Sequence, residues 1–382
     1  VRAERFFAVL AACAIQALVF APACASAEAR VFWKNGKQIP AWFSATAFGA
    51  SGPLYRRLPA NPRIDENSKN SISYYFAGNA AEFEAGWVDA DKRQARYDYT
   101  FPVYVASAGD PLVTIVCNRL SPAPCSDGGA RIHMPALARQ AGGEDRHLAV
   151  LEPDGTEYDF WLVSSKPPYR NGSLFSAAGE GRYALNGSRR DENSLAPGFN
   201  VGSATAGGIA LSVGQIYTAE LAAGAINHAI ALVFPCSTNA WVFPASQPTG
   251  TCANGQGMPL GSRVWWQPAD DRTVAMDLPR DIKTILVALH HYGGFFIDNG
   301  AGSGNIDGRG DGMGAHIENQ EPYWIYGNGT DPALNYAANA QGWNHVRTSS
   351  GVDHYLLAVL GSSVDFSHNL KVLAPCVTQQ SC

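Results

Sequence analysis

The sequence predicts an all-β fold, a β-sandwich or jelly roll with long loops and one or two short helices. Three observations support that class. Short runs rich in β-branched and aromatic residues recur along the chain, clusters of Gly, Pro, Asn and Asp separate them, and helical periodicity is rare. The 39 glycines and 23 prolines supply the turns, and only 16% of residues are charged, which suits buried sheet faces.

The elements follow in chain order. Residues 97–105 (YDYTFPVYV) and 112–117 (LVTIVC) read as strands, with Gly109-Asp110-Pro111 turning between them. Residues 147–161 read as a hairpin, because HLAVLE and TEYDFW flank Pro153-Asp154-Gly155, and Asp-Gly between alternating segments is a strong hairpin signal. That turn sets Val150 opposite Tyr158 and Leu148 opposite Phe160 on an apolar face. The other face then carries His147, Ala149, Leu151, Glu157, Asp159 and Trp161. Further strands are expected at 227–235, 239–244, 263–267, 295–297 and 355–360. A short helix over 214–223 would be closed by Gly224. A clearer one spans 278–292, where Ile282, Ile285, Leu286 and Leu289 recur at helical spacing and Gly293-Gly294 stop it.

The ends of the chain bear on compartment. Arg2 and Arg5 precede an apolar run over residues 6–20, and Ala25-Ser26-Ala27 follows as a small-residue cleavage signature. Residues 1–27 therefore read as a signal peptide and 28–382 as a single β-sandwich domain with decorated loops, secreted to an extracellular or periplasmic space. The apolar run falls short of the ~20 residues that span a bilayer, so no integral membrane association is expected. A net charge of −5 without Lys/Arg clusters argues against nucleic acid as partner. Six cysteines follow the leader, and an even number in an exported chain reads as disulfides. Proximity favours Cys117–Cys125, Cys236–Cys252 and Cys376–Cys382.

Four segments, DRHLAVLEPDGTEYDFW (145–161), AGAINHAIALVFPC (223–236), VFPA (242–245) and ILVALHHYGGFFIDNG (285–300), are together similar to a group of exported bacterial proteins. The resemblance implies an extracellular β-sandwich and brings no activity with it. The site has to be read from the residues.

The hairpin's second face places His147, Glu157, Asp159 and Trp161 together, the composition of a sugar cleft: an indole to stack on a pyranose and ionisable groups for proton transfer. The plainer reading is the solvated side of an edge hairpin. Glu220, near the end of the short helix, and His228, in phase with Ile230, Leu232 and Phe234, form a second cluster; a histidine in phase with apolar residues is more often a satisfied core residue. Tyr292 and Asp298 flank the Gly-Gly turn and could share a rim, although a core tyrosine and a turn-capping aspartate explain them as well. His290 and His291 are adjacent on the helix, where directions diverge by about 100°, which argues against a shared zinc. Asp298, Asn299, Asn305, Asp307 and Asp311 lie in a glycine-dense loop with oxygen ligands suited to Ca²⁺, without EF-hand spacing.

Gly-x-Ser-x-Gly, Walker and dinucleotide fingerprints are missing from the sequence. Three function classes remain. A glycoside hydrolase on an extracellular polysaccharide would pair Asp159 with Glu157 or Glu220 beside Trp161. A polysaccharide lyase would use His147, His228 or Tyr292 as base, with Arg263 or Ca²⁺ neutralising a uronate. A lectin-like binding protein would need only exposed aromatics and polar groups. No obligatory cofactor is implied.

Overall fold

A computed structural model describes residues 53–76, 83–89, 101–118, 125, 127–142, 145–184, 204–300, 312–318, 332–347, 353–359 and 364–382. Residues 1–52, which include the segment read above as a signal peptide, and residues 301–311 of the glycine-dense loop lie outside them. The chain is sheet-rich, 28% strand against 21% helix, in agreement with the predicted predominance of β-structure. The described strands are β1 (Phe83–Asp89), β2 (Val103–Val105), β3 (Leu112–Cys117), β4 (Arg131–His133), β5 (Leu148–Leu151), β6 (Thr156–Trp161), β7 (Leu174–Ala177), β8 (Gly179–Ala184), β9 (Ile230–Phe234), β10 (Arg263–Trp266), β11 (Gly294–Asn299), β12 (Met313–Ala315), β13 (Trp343–Arg347), β14 (Asp353–Val359) and β15 (Leu370–Val372). The described helices are α1 (Ser68–Tyr75), α2 (Thr218–Ala223), α3 (Asp270–Ala275), α4 (Arg280–His291), α5 (Pro332–Asn339), α6 (Phe366–Asn369) and α7 (Pro375–Gln379). They outnumber the one or two expected, because pieces as short as α6 are too brief to show a periodic apolar stripe. None is long and apolar enough to cross a membrane.

The strands make three sheets, ordered β13-β14-β1-β12-β9-β11-β10-β15, β2-β5-β6-β8 and β4-β3-β7. Each mixes parallel and antiparallel pairs. One face of the four-stranded sheet, with Tyr104, Leu148, Val150 and Phe160, shares an apolar cluster with Val113, Ile115 and Phe175 of the three-stranded sheet. Its other face, with Val103, Val105, Ala149 and Leu151, joins the main core with Leu232, Phe234 and Phe296 of the eight-stranded sheet. The four-stranded sheet is thus a buried middle layer, and this position decides the fate of its polar residues.

The hairpin of β5 and β6 forms in the expected register, Val150 opposite Tyr158 and Leu148 opposite Phe160. Its turn works as the residues suggest: Gly155 takes φ 91°, and the Asp154 carboxylate accepts the Thr156 N–H at 2.9 Å. In α4, Ile282, Ile285, Leu286 and Leu289 are fully buried, each gaining about 1.5–3 kcal/mol by transfer from water. Gly293 ends that helix at φ 69°, and a Cβ on Gly294 would lie 2.4 Å from a Leu232 methyl, so only glycine lets β11 approach β9 here. The strand expected at 239–244 is reduced to an isolated bridge, Trp241 to Leu260, since the Ala245 N–H turns back to the Val242 carbonyl. All three expected disulfides are present, closing Cys117–Cys125, Cys236–Cys252 and Cys376–Cys382.

Candidate functional site

The site assembles where the hairpin's open end meets the end of β11. Asp145 and Arg146 lead into β5, and Leu162 leaves β6. Arg146 at φ 48° and Leu162 at φ 53° both occupy the left-handed region that larger residues avoid. They are locked side by side, with the Leu162 N–H donating to the Asp145 carbonyl at 2.7 Å and the Val163 N–H to the Arg146 carbonyl at 3.3 Å. This double twist sets the Trp161 indole against Asp145, whose Oδ1 accepts the Nε1–H at 2.8 Å. Backbone strain held in this way orients side chains that a relaxed hairpin end would leave free.

Asp298 arrives from the other side. The register of β11 against β9 slips between Phe296 and Asp298, a bulge that re-aims the aspartate. Its Oδ1 accepts the N–H groups of Ala206, at 3.0 Å, and Asn299, at 2.9 Å. Burial nevertheless dominates and raises the carboxyl to about 7, with the charge of Asp145 adding to the rise. A carboxylic acid thereby keeps its proton close to neutrality, on a residue that is half-buried and not enclosed.

Two imidazoles back this pair. His147 is 3% exposed; its Nε2–H donates to the Ala204 carbonyl at 2.8 Å, which leaves Nδ1 without a partner among the described residues. Burial lowers its pKa to about 4 against the opposing charge of Asp145. His316 stacks on Phe101 with centroids 3.9 Å apart, and His147 meets the same ring edge-on at 4.9 Å. Burial, then His147, lowers His316 to about 3, and its Nε2 also has no partner among the described residues. The segment 204–206 ties the halves together, since it supplies the carbonyl for His147 and the N–H for Asp298. Asp145, His147, Trp161, Asp298, Phe101 and His316 therefore form one cluster between two sheets.

The remaining expected site residues lie elsewhere. Glu157 and Asp159 share a face as foreseen, but both are completely buried. Glu157 accepts the Ser212 N–H at 3.0 Å and its hydroxyl, and Asp159 accepts the Leu211 N–H at 2.7 Å. They serve backbone donors of a buried segment that no strand pairs. Burial raises both carboxyls, and for Asp159 the neighbouring Glu157 and Glu180 push further. Substrate does not reach them in this conformation. Glu220 and His228 form a buried pair at 3.2 Å, with Glu220 also capping α2 through the Tyr217 N–H and His228 bonded to the Ala229 carbonyl. They belong to the core and not to the cluster around Asp298.

Arg263 and Tyr292 are together, yet turned to structural work. The guanidinium donates to the Tyr292 and Arg56 carbonyls and lies 4.9 Å over the Phe295 ring. Burial, then Arg56, lowers it to about 9. Arg263 pairs with Phe295, three residues from Asp298, which puts it about 10 Å along the strand from the acid. Of the proposed calcium ligands, Asn305, Asp307 and Asp311 fall outside the described residues, and Asp298 uses Oδ1 for two N–H donors. The sequence reading missed Asp145, Phe101 and His316. Asp145 stood two positions before His147 in a quoted motif, while His316 follows the glycine-dense loop with no local signal.

No family model, curated protein or solved structure matches this chain.

Proposed function

We propose that the protein is an exported glycoside hydrolase in which Asp298 is the general acid and Asp145 its carboxylate partner. The observation that carries this reading is a carboxyl raised to about 7 on a half-buried residue, with a second carboxylate, Asp145, adding to the rise and itself holding the Trp161 indole. Glycosidic cleavage asks for this pairing: one carboxyl still protonated at working pH and one acting on the opposite side of the sugar. Asp298 passes its proton to the leaving glycosidic oxygen. Asp145 stabilises the positive charge growing at the anomeric carbon and accepts the proton of the attacking water. Trp161 offers an apolar face for a pyranose ring. A polysaccharide is the substrate class that suits an exported chain with this site, and the three disulfides fit an oxidising compartment.

The test is digestion of a panel of neutral and acidic polysaccharides, reading reducing ends and absorbance near 235 nm together. New reducing ends without ultraviolet absorbance, lost in Asp298→Asn and Asp145→Asn, would support the reading. Absorbance rising with reducing ends would replace hydrolysis by β-elimination. Saturable sugar binding without turnover would leave a lectin-like protein.

A further inference from the structure

We propose that Asp270, His290 and His291 form a binding site for a borderline divalent metal ion, with zinc the natural occupant. One ligand atom from each of the three side chains lies within 4.8 Å of the others. Adjacency on α4 does not separate the histidines as the helical argument suggests. His291 is the last helical residue, and the two imidazole centroids are 5.2 Å apart at 75°. Asp270 opens α3, which packs against α4, and its Oδ2 already meets His291 Nε2 at 2.8 Å.

The surroundings of His290 point to a ligand. Its Nδ1–H donates to the Trp266 carbonyl at 2.9 Å, so the lone pair sits on Nε2. Metal-bound histidines are held in this manner, one ring nitrogen on the ion and the other on a carbonyl or carboxylate. Trp265 stacks on the His290 ring at 5.8 Å and 29°, and its Nε1–H donates to the His290 carbonyl at 2.9 Å. That imidazole is oriented before any ion arrives. The His291 and Asp270 side chains are 27% and 49% exposed, so solvent reaches the site and an ion can enter. Two imidazoles and a carboxylate without a thiol suit Zn²⁺ or Co²⁺ better than Ca²⁺ or Mg²⁺, which prefer all-oxygen sets. Three protein ligands leave a fourth position for water. The proposal uses none of the residues around Asp298 and stands apart from the hydrolase reading.

The test is calorimetric titration of untagged, disulfide-intact protein with Zn²⁺, with Co²⁺ visible absorption as the reporter of coordination. One ion should bind per chain, with Kd in the micromolar range. Asp270→Asn should weaken it about tenfold or more. His290→Gln with His291→Gln should abolish it, whereas Asp298→Asn leaves it unchanged. Asp270 is exposed, so the metal-free Asp270→Asn should melt with the parent, whereas the half-buried double histidine variant gives up the bond to the Trp266 carbonyl and should melt slightly lower while still folding. No saturable binding below ~1 mM, or binding that survives in the double histidine variant, would overturn the proposal.

Discussion

Two groups of buried carboxyls differ in one respect that matters. Glu157, Asp159 and Glu180 are wholly enclosed by the middle sheet, while Asp298 is partly open at the meeting of two sheets. Burial lifts the ionisation of Glu157, Asp159 and Asp298 alike. A raised pKa therefore marks desolvation and not chemistry. What sets Asp298 apart is access, the bulge that aims it, and a second carboxylate fixed beside an indole.

The largest expected effect separates the two groups by activity. Asp298→Asn should lower kcat/KM by about 10³-fold on the substrate found, within the range for loss of a general acid, and leave the thermal transition measured near pH 4 almost unmoved. Next in size is stability. Glu157→Ala strands the Ser212 N–H and hydroxyl and opens a cavity, so denaturant unfolding should show a loss of about 3 kcal/mol. A loss below 1 kcal/mol would undo its structural assignment. Trp161→Phe keeps the ring and deletes the Nε1–H donor to Asp145; steady-state kinetics should show kcat/KM down about tenfold with folding intact.

The last effect concerns pH and is read as a difference between two proteins. Asp298 ordinarily titrates near 3.8 and is raised to about 7 in the fold, so the native state holds the extra proton between those values. Its contribution to stability is complete below pH 3.8 and is lost as pH rises to about 7. His147 and His316, lowered to about 4 and 3, act with the opposite sign and contribute more as pH rises toward 6.5. Comparing variant with parent cancels the histidines. The Tm of Asp298→Asn minus that of the parent should grow from pH 4 to pH 8, and a flat difference would contradict the raised acid.

Legibility in the sequence followed distance along the chain. The hairpin register was readable because the Asp-Gly turn and the period of two are local, and the disulfides because each cysteine has a near neighbour. The burial of Glu157 and Asp159 was not, since the covering residues Leu211 and Ser212 lie more than fifty positions away. The bulge before Asp298 is a one-residue slip against β9, and nothing in GFFIDN announces it. His290 and His291 differ from what helical spacing suggests in one respect, since at the helix end their ring centroids lie 5.2 Å apart.

The most direct measurement is a ¹³C NMR titration of aspartate carboxyls in the parent protein and in Asp298→Asn. The account requires one resonance with a midpoint of about 7 that disappears in the variant. If the resonance lost in the variant titrates below about pH 5, Asp298 holds no proton near neutrality and cannot be the acid.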